Sequence, residues 1–345
     1  MPACAGMDGA RRRCVPQRRG LQGHSALRAA GRALTRPVAT PTRFADNVTR
    51  FLFERAAVRG AVVSLDDACR VILSQHPYPP ALRQVLAELL AAAALLASTL
   101  TFKGTLIVQL QGTGPVGLLV VECTADLGLR ATAQWRDDAA ALPDDASLAV
   151  LAGDSAASRL AILLDPKDGG PIYQGIVALE AASIAALIEH YLTTSEQIDS
   201  RLVLAADGAH ARGMLLQRMP SAGAEDDATW RNAISRLDVR GADLLGASGV
   251  EAFLAARFPN DDIRVVAPRA ARFQCDCSGE RVSNALRMLG RAEVEGILAE
   301  QGMVGVTCEF CNRQYSFVAA DALGLFAQGS VRGDAISDAA DPTRK

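Results

Sequence analysis

The sequence predicts an α+β protein with three folded parts: an N-terminal domain with a mainly antiparallel sheet and helices, a helical linker, and a small C-terminal zinc-binding domain. Three observations support this prediction. Between residues 44 and 220, helical patterns are followed by runs of alternating apolar and polar residues. From Ser221 the composition changes to short helical patterns interrupted by glycine. Four of the eight cysteines then cluster between residues 275 and 311.

These observations divide the 345 residues into segments. We expect a disordered Arg-rich leader at 1–43, an α+β core domain at 44–221, a metastable helical linker at 222–268, a zinc-binding domain at 269–328 and a disordered tail at 329–345. The length is ample for two or three domains with a buried core.

The leader has nine arginines and one acid, Asp8, and no sustained hydrophobic period. We interpret it as a disordered leader or as the product of a start site assigned too early. An organelle transit peptide has the same Arg-rich, acid-poor composition, and a basic nucleic-acid arm is a third alternative. Cys4 and Cys14 lie in this segment.

In the core domain, the turn spacing of apolar residues predicts helices at 46–57, 65–74, 81–100 and 181–192. Alternation and turn residues predict strands at 105–111, 117–124, 129–135, 160–164, 175–179, 202–204 and 213–217. Helical patterns at 229–239 and 250–258 lie in the linker, and others at 280–289 and 292–301 separate the two cysteine pairs. Such short helices are marginal unless they pack against a neighbour.

Charge and hydropathy argue against several function classes. The formal net charge is -2 and the pI is about 6.1, so neither nucleic acid nor an anionic membrane is an expected partner. The longest apolar stretch, 89–100, is too short to cross a bilayer and predicts a buried helix. Because no export signal is recognisable, we expect a cytoplasmic protein.

The cysteine spacing indicates a metal site. Cys275 and Cys277 form one close pair, and Cys308 and Cys311 form another after a helical segment. Each pair supplies two thiolates from a single turn, so the four predict one tetrahedral Zn²⁺ per chain. Because four protein thiolates leave no open position for water, a catalytic zinc is not expected and the protein is not predicted to be an enzyme.

Other readings of the four cysteines are weaker. A thioredoxin-like pair should open a helix after a strand, whereas a second strand is predicted after Cys311. The spacing does not match the usual ferredoxin runs, and a disulfide framework requires an oxidising compartment. Cys69 and Cys123 lie in apolar patterns and are expected to be inert core residues.

The predicted zinc-binding domain at 269–328 is too small to have much of a core of its own, so loss of zinc should unfold it. Most four-cysteine zinc sites are static. Neighbouring thiolates can, however, be oxidised to Cys275–Cys277 and Cys308–Cys311 disulfides, which cannot hold zinc. The spacing alone leaves a static site and a redox switch both open.

The residues also resemble a known family, the redox-regulated 33 kDa chaperonin (heat-shock protein 33) family. The resemblance covers about residues 44–327. It includes the cysteine segments 273–278 and 308–311, the segment 297–300 between them, and the upstream segments 57–60, 86–90, 108–112, 173–175 and 213–217.

Membership of that family implies a holdase chaperone that binds unfolding clients without ATP. The reduced form holds zinc through Cys275, Cys277, Cys308 and Cys311 and is inactive. Oxidation to two disulfides releases zinc, unfolds the linker and exposes apolar surface, and the active form tends to dimerise. The absence of a Walker loop from the sequence is consistent with this expectation.

The main alternative is a zinc-ribbon nucleic-acid-binding protein with a static structural zinc. It would need a basic face around the zinc site. Six arginines occur there, at 269, 272, 281, 287, 291 and 313, but six acids offset them, at 276, 280, 293, 295, 300 and 309.

Overall fold

The structure is a computed structural model that describes residues 45–220, 224–237 and 241–327. The predicted leader at 1–43 lies outside these ranges, together with Cys4 and Cys14. The described ranges also leave out residue 221, residues 222–223 and 238–240 of the predicted linker, residue 328, and the predicted tail at 329–345. The described residues form an α+β fold, as the sequence predicts.

The strands form two six-stranded sheets and a separate hairpin. The strand bounds are β1 (Asn47–Phe53), β2 (Val58–Leu65), β3 (Gly104–Gln111), β4 (Val116–Thr124), β5 (Gly128–Trp135), β6 (Arg159–Pro166), β7 (Tyr173–Ala178), β8 (Ser200–Ala206), β9 (Ala211–Arg218), β10 (Ile263–Val265), β11 (Arg269–Ala270), β12 (Arg272–Phe273), β13 (Met303–Thr307) and β14 (Gln314–Val318). The first sheet has the order β10-β1-β2-β9-β8, with β11 also paired to β1, and the second has the order β12-β5-β4-β3-β6-β7. The β12–β5 pairing is parallel, and the other pairings of these strands are antiparallel.

The helices lie between the sheets, on the first sheet and within residues 275–327. Their bounds are α1 (Asp67–Leu73), α2 (Pro80–Thr99), α3 (Leu148–Ala152), α4 (Ile184–Thr194), α5 (Ala224–Ser235), α6 (Gly241–Leu245), α7 (Val250–Arg257), α8 (Gly279–Leu289), α9 (Arg291–Gln301) and α10 (Ala319–Ala327). A short 3-10 helix spans Asp137–Ala141.

Helix α2 is the centre of the main core. It contacts β2 and β9 of the first sheet and β4 and β5 of the second, and fifteen of its twenty residues are buried. The four alanines at 91–94 are fully buried, and their small side chains let both sheets approach the helix closely. The helix is long and apolar enough to cross a membrane, but 83% of its apolar window is buried inside the protein, as expected for a core helix.

The predicted helix at 46–57 is wrong, because this segment contains strand β1. Phe51 and Phe53 alternate onto one face, and six residues pair with β2, from Asn47 with Ser64 to Leu52 with Arg59. Valine and phenylalanine suit a strand, and this pairing outweighs a helical spacing that arose by coincidence. Asp46 caps a different helix: its carboxylate accepts hydrogen bonds from the backbone N–H groups of Asp67 at 3.1 Å and Ala68 at 2.6 Å, at the start of α1.

Strand β2 was not predicted, because it is buried on both faces and has no alternation to reveal it. The predicted helices at 65–74, 81–100 and 181–192 correspond to α1, α2 and α4, and the seven predicted strands correspond to β3–β9, so these predictions are confirmed apart from their ends.

Helices α5, α6 and α7 cover one face of the first sheet. We call this surface the covered face; it includes Phe51, Phe53, Val62, Met214 and Leu216. Buried side chains of the three helices pack on it: Trp230, Ala233, Leu244, Phe253 and Leu254. The following residues form β10 and β11, which pair with β1, so the segment after β9 returns to the sheet from which it left.

Candidate metal centre

Cys308 and Cys311 lie in the turn of the β13–β14 hairpin, and β14 is the strand that the sequence predicts after Cys311. The turn is closed by backbone hydrogen bonds from Cys308 N to Arg313 O at 2.9 Å and from Asn312 N to Cys308 O at 2.8 Å. Asn312 has a φ of 55°, in the left-handed region that asparagine tolerates better than most residues. These hydrogen bonds and the backbone conformation of Asn312 direct both thiol groups to the same side of the turn.

Cys275 and Cys277 lie between β12 and α8. Pairing of β12 with β5 fixes the chain before them, since Gln274 N donates to Leu129 O at 2.9 Å. Ser278 fixes the chain after them by capping α8, with its side chain accepting from Arg281 N at 3.2 Å. The two cysteines are thus held between a strand and a helix start.

The four thiol sulfurs converge. All of them lie within 4.8 Å of one another, and the four side chains are half-buried. The Sγ–Sγ distance is 3.7 Å for Cys275–Cys308 and 3.4 Å for Cys277–Cys311. Tetrahedral zinc with Zn–S bonds of about 2.3 Å sets its sulfurs about 3.8 Å apart. The cluster can therefore hold a metal ion, and its all-thiol donor set suits zinc.

Neighbouring groups also act on these thiols. The Tyr315 hydroxyl donates to Cys277 Sγ at 3.1 Å. Burial raises the pKa of Cys277, but hydrogen bonds from Tyr315 and the other thiols outweigh it and lower that pKa to about 7. Burial raises the pKa of Cys275, and it raises the pKa of Cys311 to about 12. Among these three thiols, Cys277 is therefore the one that ionises most readily.

Arg130 of β5 connects the metal cluster to the core. Its guanidinium pairs with Glu122 at 2.6 Å, lies 4.3 Å from the centre of the Phe310 ring and places Nη1 3.9 Å from Cys275 Sγ. Phe310 lies between Cys308 and Cys311, so one core side chain touches both halves of the cluster. Sequence reasoning did not identify Arg130, since no local pattern links it to a cysteine 145 residues away.

The β13–β14 turn makes further contacts with the core. His76 Nε2 lies 2.7 Å from the carbonyl oxygen of Glu309, and the Asn312 side chain donates to the carbonyl oxygen of Gln75. The chain before the cluster also touches the core, where Arg272 pairs with Asp126 at 2.7 Å. The cluster thus lies against the end of α1 and the second sheet.

The C-terminal unit, residues 275–327, has a small apolar core of its own. The buried side chains in its cluster are Leu286, Val294, Val304 and Ala322. Several apolar side chains remain exposed in the same unit, including Met288 at 83% and Leu289 at 51%. This limited burial agrees with the expectation that the unit depends on its four thiolates.

Cys69 and Cys123 differ from the four clustered cysteines in burial and in ionisation. Both are buried in the main core, and burial raises the pKa of each thiol to about 12. Such thiols are protonated at neutral pH and have little nucleophilic reactivity. This agrees with their predicted role as inert core residues.

Several arginines near the cluster already have partners within the chain. Arg269 donates to Ala125 O at 2.5 Å, Arg287 to Leu325 O at 3.1 Å, and Arg291 pairs with Glu295 at 2.7 Å. With Arg272 paired to Asp126, these contacts do not favour the continuous free basic face that a nucleic-acid reader needs.

Comparison with known proteins places this geometry in a family. A sequence model of the Hsp33 protein matches residues 46–318. The 33 kDa chaperonin of Methylobacillus flagellatus is 46% identical over 287 residues, which cover 82% of this chain and 95% of that protein. The corresponding protein of Chromobacterium violaceum is 43% identical over 282 residues, covering 81% and 94%.

A solved structure has the same fold. The crystal structure of the 33 kDa chaperonin from Thermotoga maritima superimposes with a TM-score of 0.69, covering 82% of this chain and 99% of that one. Its sequence identity of 21% makes this a likeness of fold alone.

Proposed function

The chain belongs to the Hsp33 protein family, and from that premise we propose that it is a redox-regulated, ATP-independent holdase chaperone. The family and its relatives named 33 kDa chaperonin support the chaperone role itself. The observation that carries the redox part of the proposal is the convergence of four thiols within 4.8 Å.

In the proposed reduced state, Cys275, Cys277, Cys308 and Cys311 hold one zinc ion as thiolates. Bound zinc would supply a closed, four-coordinate crosslink between the two cysteine pairs. Tyr315 supports the thiolate of Cys277 through its hydrogen bond, and Arg130 places positive charge beside Cys275. Both contacts favour the ionised sulfur that a metal requires.

The proposed switch is oxidation by a peroxide. Two thiolates give two electrons and form one S–S bond, while one hydrogen peroxide takes up two protons and becomes two waters. Two such steps consume all four thiolates and leave no ligand for zinc. We assign the pairs as Cys275–Cys277 and Cys308–Cys311 on the family resemblance, because all four sulfurs are close enough that distance alone does not choose among the pairings.

The proposed consequence is exposure of the covered face. The metal cluster follows β12, and β10 and β11, which pair with β1, lie between the covering helices and β12 along the chain. Unfolding of the zinc-binding domain would remove the contacts of β12 with β5 and loosen the chain next to β11. Helices α5–α7 would then leave the sheet, because short helices are marginally stable without packing.

The proposed domains remain the core domain at 44–221, the linker at 222–268 and the zinc-binding domain at 269–328.

We assign the apolar side chains of the uncovered face as the surface that binds clients. The clients are unfolded or partly unfolded proteins, which present apolar segments of their own. An apolar surface exposed to water favours association with such segments. The same exposure accounts for a proposed homodimer of the oxidised form. The cytoplasm, where thiols stay reduced until oxidative stress, is the proposed location.

Light scattering from a heat-denatured client protein tests the proposal. We expect peroxide-treated, zinc-depleted protein to suppress aggregation and reduced, zinc-loaded protein not to do so. Dithiothreitol followed by zinc should restore the inactive state. Equal activity of both forms would contradict the redox switch and leave a static zinc site, and inactivity of both would contradict the holdase assignment.

Hydrogen exchange tests where the switch acts. Oxidation should remove protection from residues 224–257 and 275–327, while α2 stays protected and serves as the internal control. Equal protection of residues 224–257 in the two redox states would contradict the proposed uncovering of the sheet.

A further inference from the structure

A cavity of about 250 Å³ lies between the two sheets near the end of α2, away from the metal cluster. Its apolar wall comes from α2, β3 and β6 through Leu96, Leu106, Ile162 and Leu164. Arg59 and Gln217 contribute polar groups at one side. An apolar cavity with a few converging polar groups is the usual form of a small-molecule site.

Arg59 is the unusual member of this lining. It lies on β2 opposite Gln217 of β9 and shares its face of the sheet with Ala61 and Val63, which belong to the main core. Its Nε donates to Gln217 Oε1 at 3.1 Å, and within the described residues no carboxylate pairs with it. A half-buried guanidinium without a counterion is costly unless an anion joins it.

The charged neighbour of Arg59 is a second arginine, Arg50, so the charge around Arg59 favours binding of an anion. Burial, with a smaller contribution from Arg50, lowers the pKa of Arg59, so its environment is desolvated and locally positive. A second depression of about 290 Å³ shares Arg59 and Gln217 and includes Arg50 in its lining. Arg59 therefore stands at a wall common to both spaces.

Glu196, the one acid among the residues that line the cavity, already has hydrogen-bond partners. Glu196 Oε1 accepts hydrogen bonds from the Tyr173 hydroxyl at 2.8 Å and the Tyr191 hydroxyl at 2.6 Å. Glu196 thus holds the exposed Tyr173 and the buried Tyr191, and it makes no ion pair with Arg59. The polar lining therefore contains an acid that is hydrogen-bonded by two tyrosines and a guanidinium that has no carboxylate partner among the described residues.

Three segments that carry the family resemblance also meet at this cavity. Segment 57–60 contributes Arg59, segment 173–175 contributes Tyr173, and segment 213–217 contributes Gln217. None of these residues contacts the four cysteines or lies on the covered face, so the proposed redox mechanism makes no use of them.

We propose that this cavity binds a small aliphatic carboxylate of the fatty-acid class. The carboxylate accepts hydrogen bonds from the Arg59 guanidinium, whose planar donor fork fits a carboxylate with two parallel bonds. The aliphatic chain lies against Leu106, Ile162 and Leu164. This site is separate from the surface assigned to clients.

Isothermal titration calorimetry of full-length, reduced, zinc-loaded protein with octanoate tests the proposal. We expect saturable binding of octanoate at least tenfold tighter than binding of octanol, which has the chain without the charge. Arg59→Gln should lower the affinity for octanoate at least tenfold. Arg55→Gln, at an exposed arginine in the loop after β1, is the matched control and should bind as the unmodified protein does.

Leu164→Trp provides an independent variant, because it fills the cavity from a half-buried position and leaves Arg59 in place. It should abolish octanoate binding while zinc content and thermal unfolding stay near those of the unmodified protein. Equal affinity for octanoate and octanol, unchanged affinity in Arg59→Gln or Leu164→Trp, or no saturable binding would each overturn the proposal.

Discussion

The main core and the C-terminal unit reach a folded state by different means. In α2, fifteen of twenty residues are buried, whereas α8 and α9 each bury one residue of eleven. Burial of apolar surface can hold the first region together, but the second has too little of it. In the C-terminal unit, four converging thiols that can hold a metal ion supplement a small apolar core. Stability and sensitivity to oxidants can therefore lie in separate parts of one chain.

The largest expected effect comes from removing one ligand. Cys308→Ser should abolish tight zinc binding and unfold residues 275–327, because structural zinc contributes about 10–16 kcal/mol in small zinc-binding peptides. Zinc content and limited proteolysis measure the result. Cys69→Ala, at a buried core cysteine, is the control and should retain zinc. Unchanged zinc content in Cys308→Ser would refute the ligand set.

A smaller effect is expected at the covering helices. Trp230→Ala removes a buried side chain that anchors α5 on the covered face and should weaken that packing by about 3–5 kcal/mol. We expect the reduced variant to suppress client aggregation without oxidant, as measured by light scattering.

The second tryptophan offers a control for this change. Trp135 packs against the main core beside Tyr78, at 5.1 Å between ring centres. Trp135→Ala should lower thermal stability yet keep client binding dependent on oxidation. The same constitutive activity in both variants would mean that general destabilisation, not uncovering of the face, activates the protein.

A core substitution should separate the two regions. Leu90→Ala, at a fully buried position of α2, should lower the free energy of unfolding of the main core by about 2–5 kcal/mol and leave the zinc content unchanged. Thermal unfolding of the reduced protein measures this. Leu289→Ala, at a leucine of α8 that is 51% exposed, should change stability by less than about 0.5 kcal/mol. A loss of zinc in Leu90→Ala would show that the regions are not independent.

The smallest expected effect concerns the link between the regions. Arg130→Gln removes the contact with Phe310 and the pair with Glu122, which should weaken docking of the metal cluster by about 1–2 kcal/mol. Peroxide should then release zinc faster, as followed with a chromogenic chelator, while the zinc content before oxidation stays unchanged. Arg291→Gln removes an exposed pair within α9 and should leave the release rate unaltered.

The sequence predicts the elements whose signals are local. The turn between Cys308 and Cys311, the apolar run of α2 and the alternation of β3 are each visible within a few residues, and each is found where expected. The segment at 46–57 misled because Val48, Phe51 and Leu52 also fit a helical spacing, and only pairing with β2 selects the strand.

The site could be predicted only in part for the same reason. The spacing of the four cysteines predicts the metal ligands. Arg130 and His76, however, contact the cluster through the tertiary fold, and no sequence pattern near the cysteines indicates them. Tyr315 lies close in sequence, yet its hydrogen bond to Cys277 requires the β13–β14 hairpin to bring the two together. Contacts of this kind depend on the whole topology.

The return of β10 to the first sheet limits how far the covering segment can travel. Its two ends lie at β9 and β10, which are three strand spacings apart, or about 14 Å. In the proposed oxidised state, as long as β10 stays paired with β1, the opened residues 219–262 would form a tethered loop with a fixed base. Such a loop remains at a high effective concentration, in the millimolar range, above the face it has left. Under the proposed mechanism, it would therefore compete with every bound client and provide a built-in path for release once the cysteines are reduced.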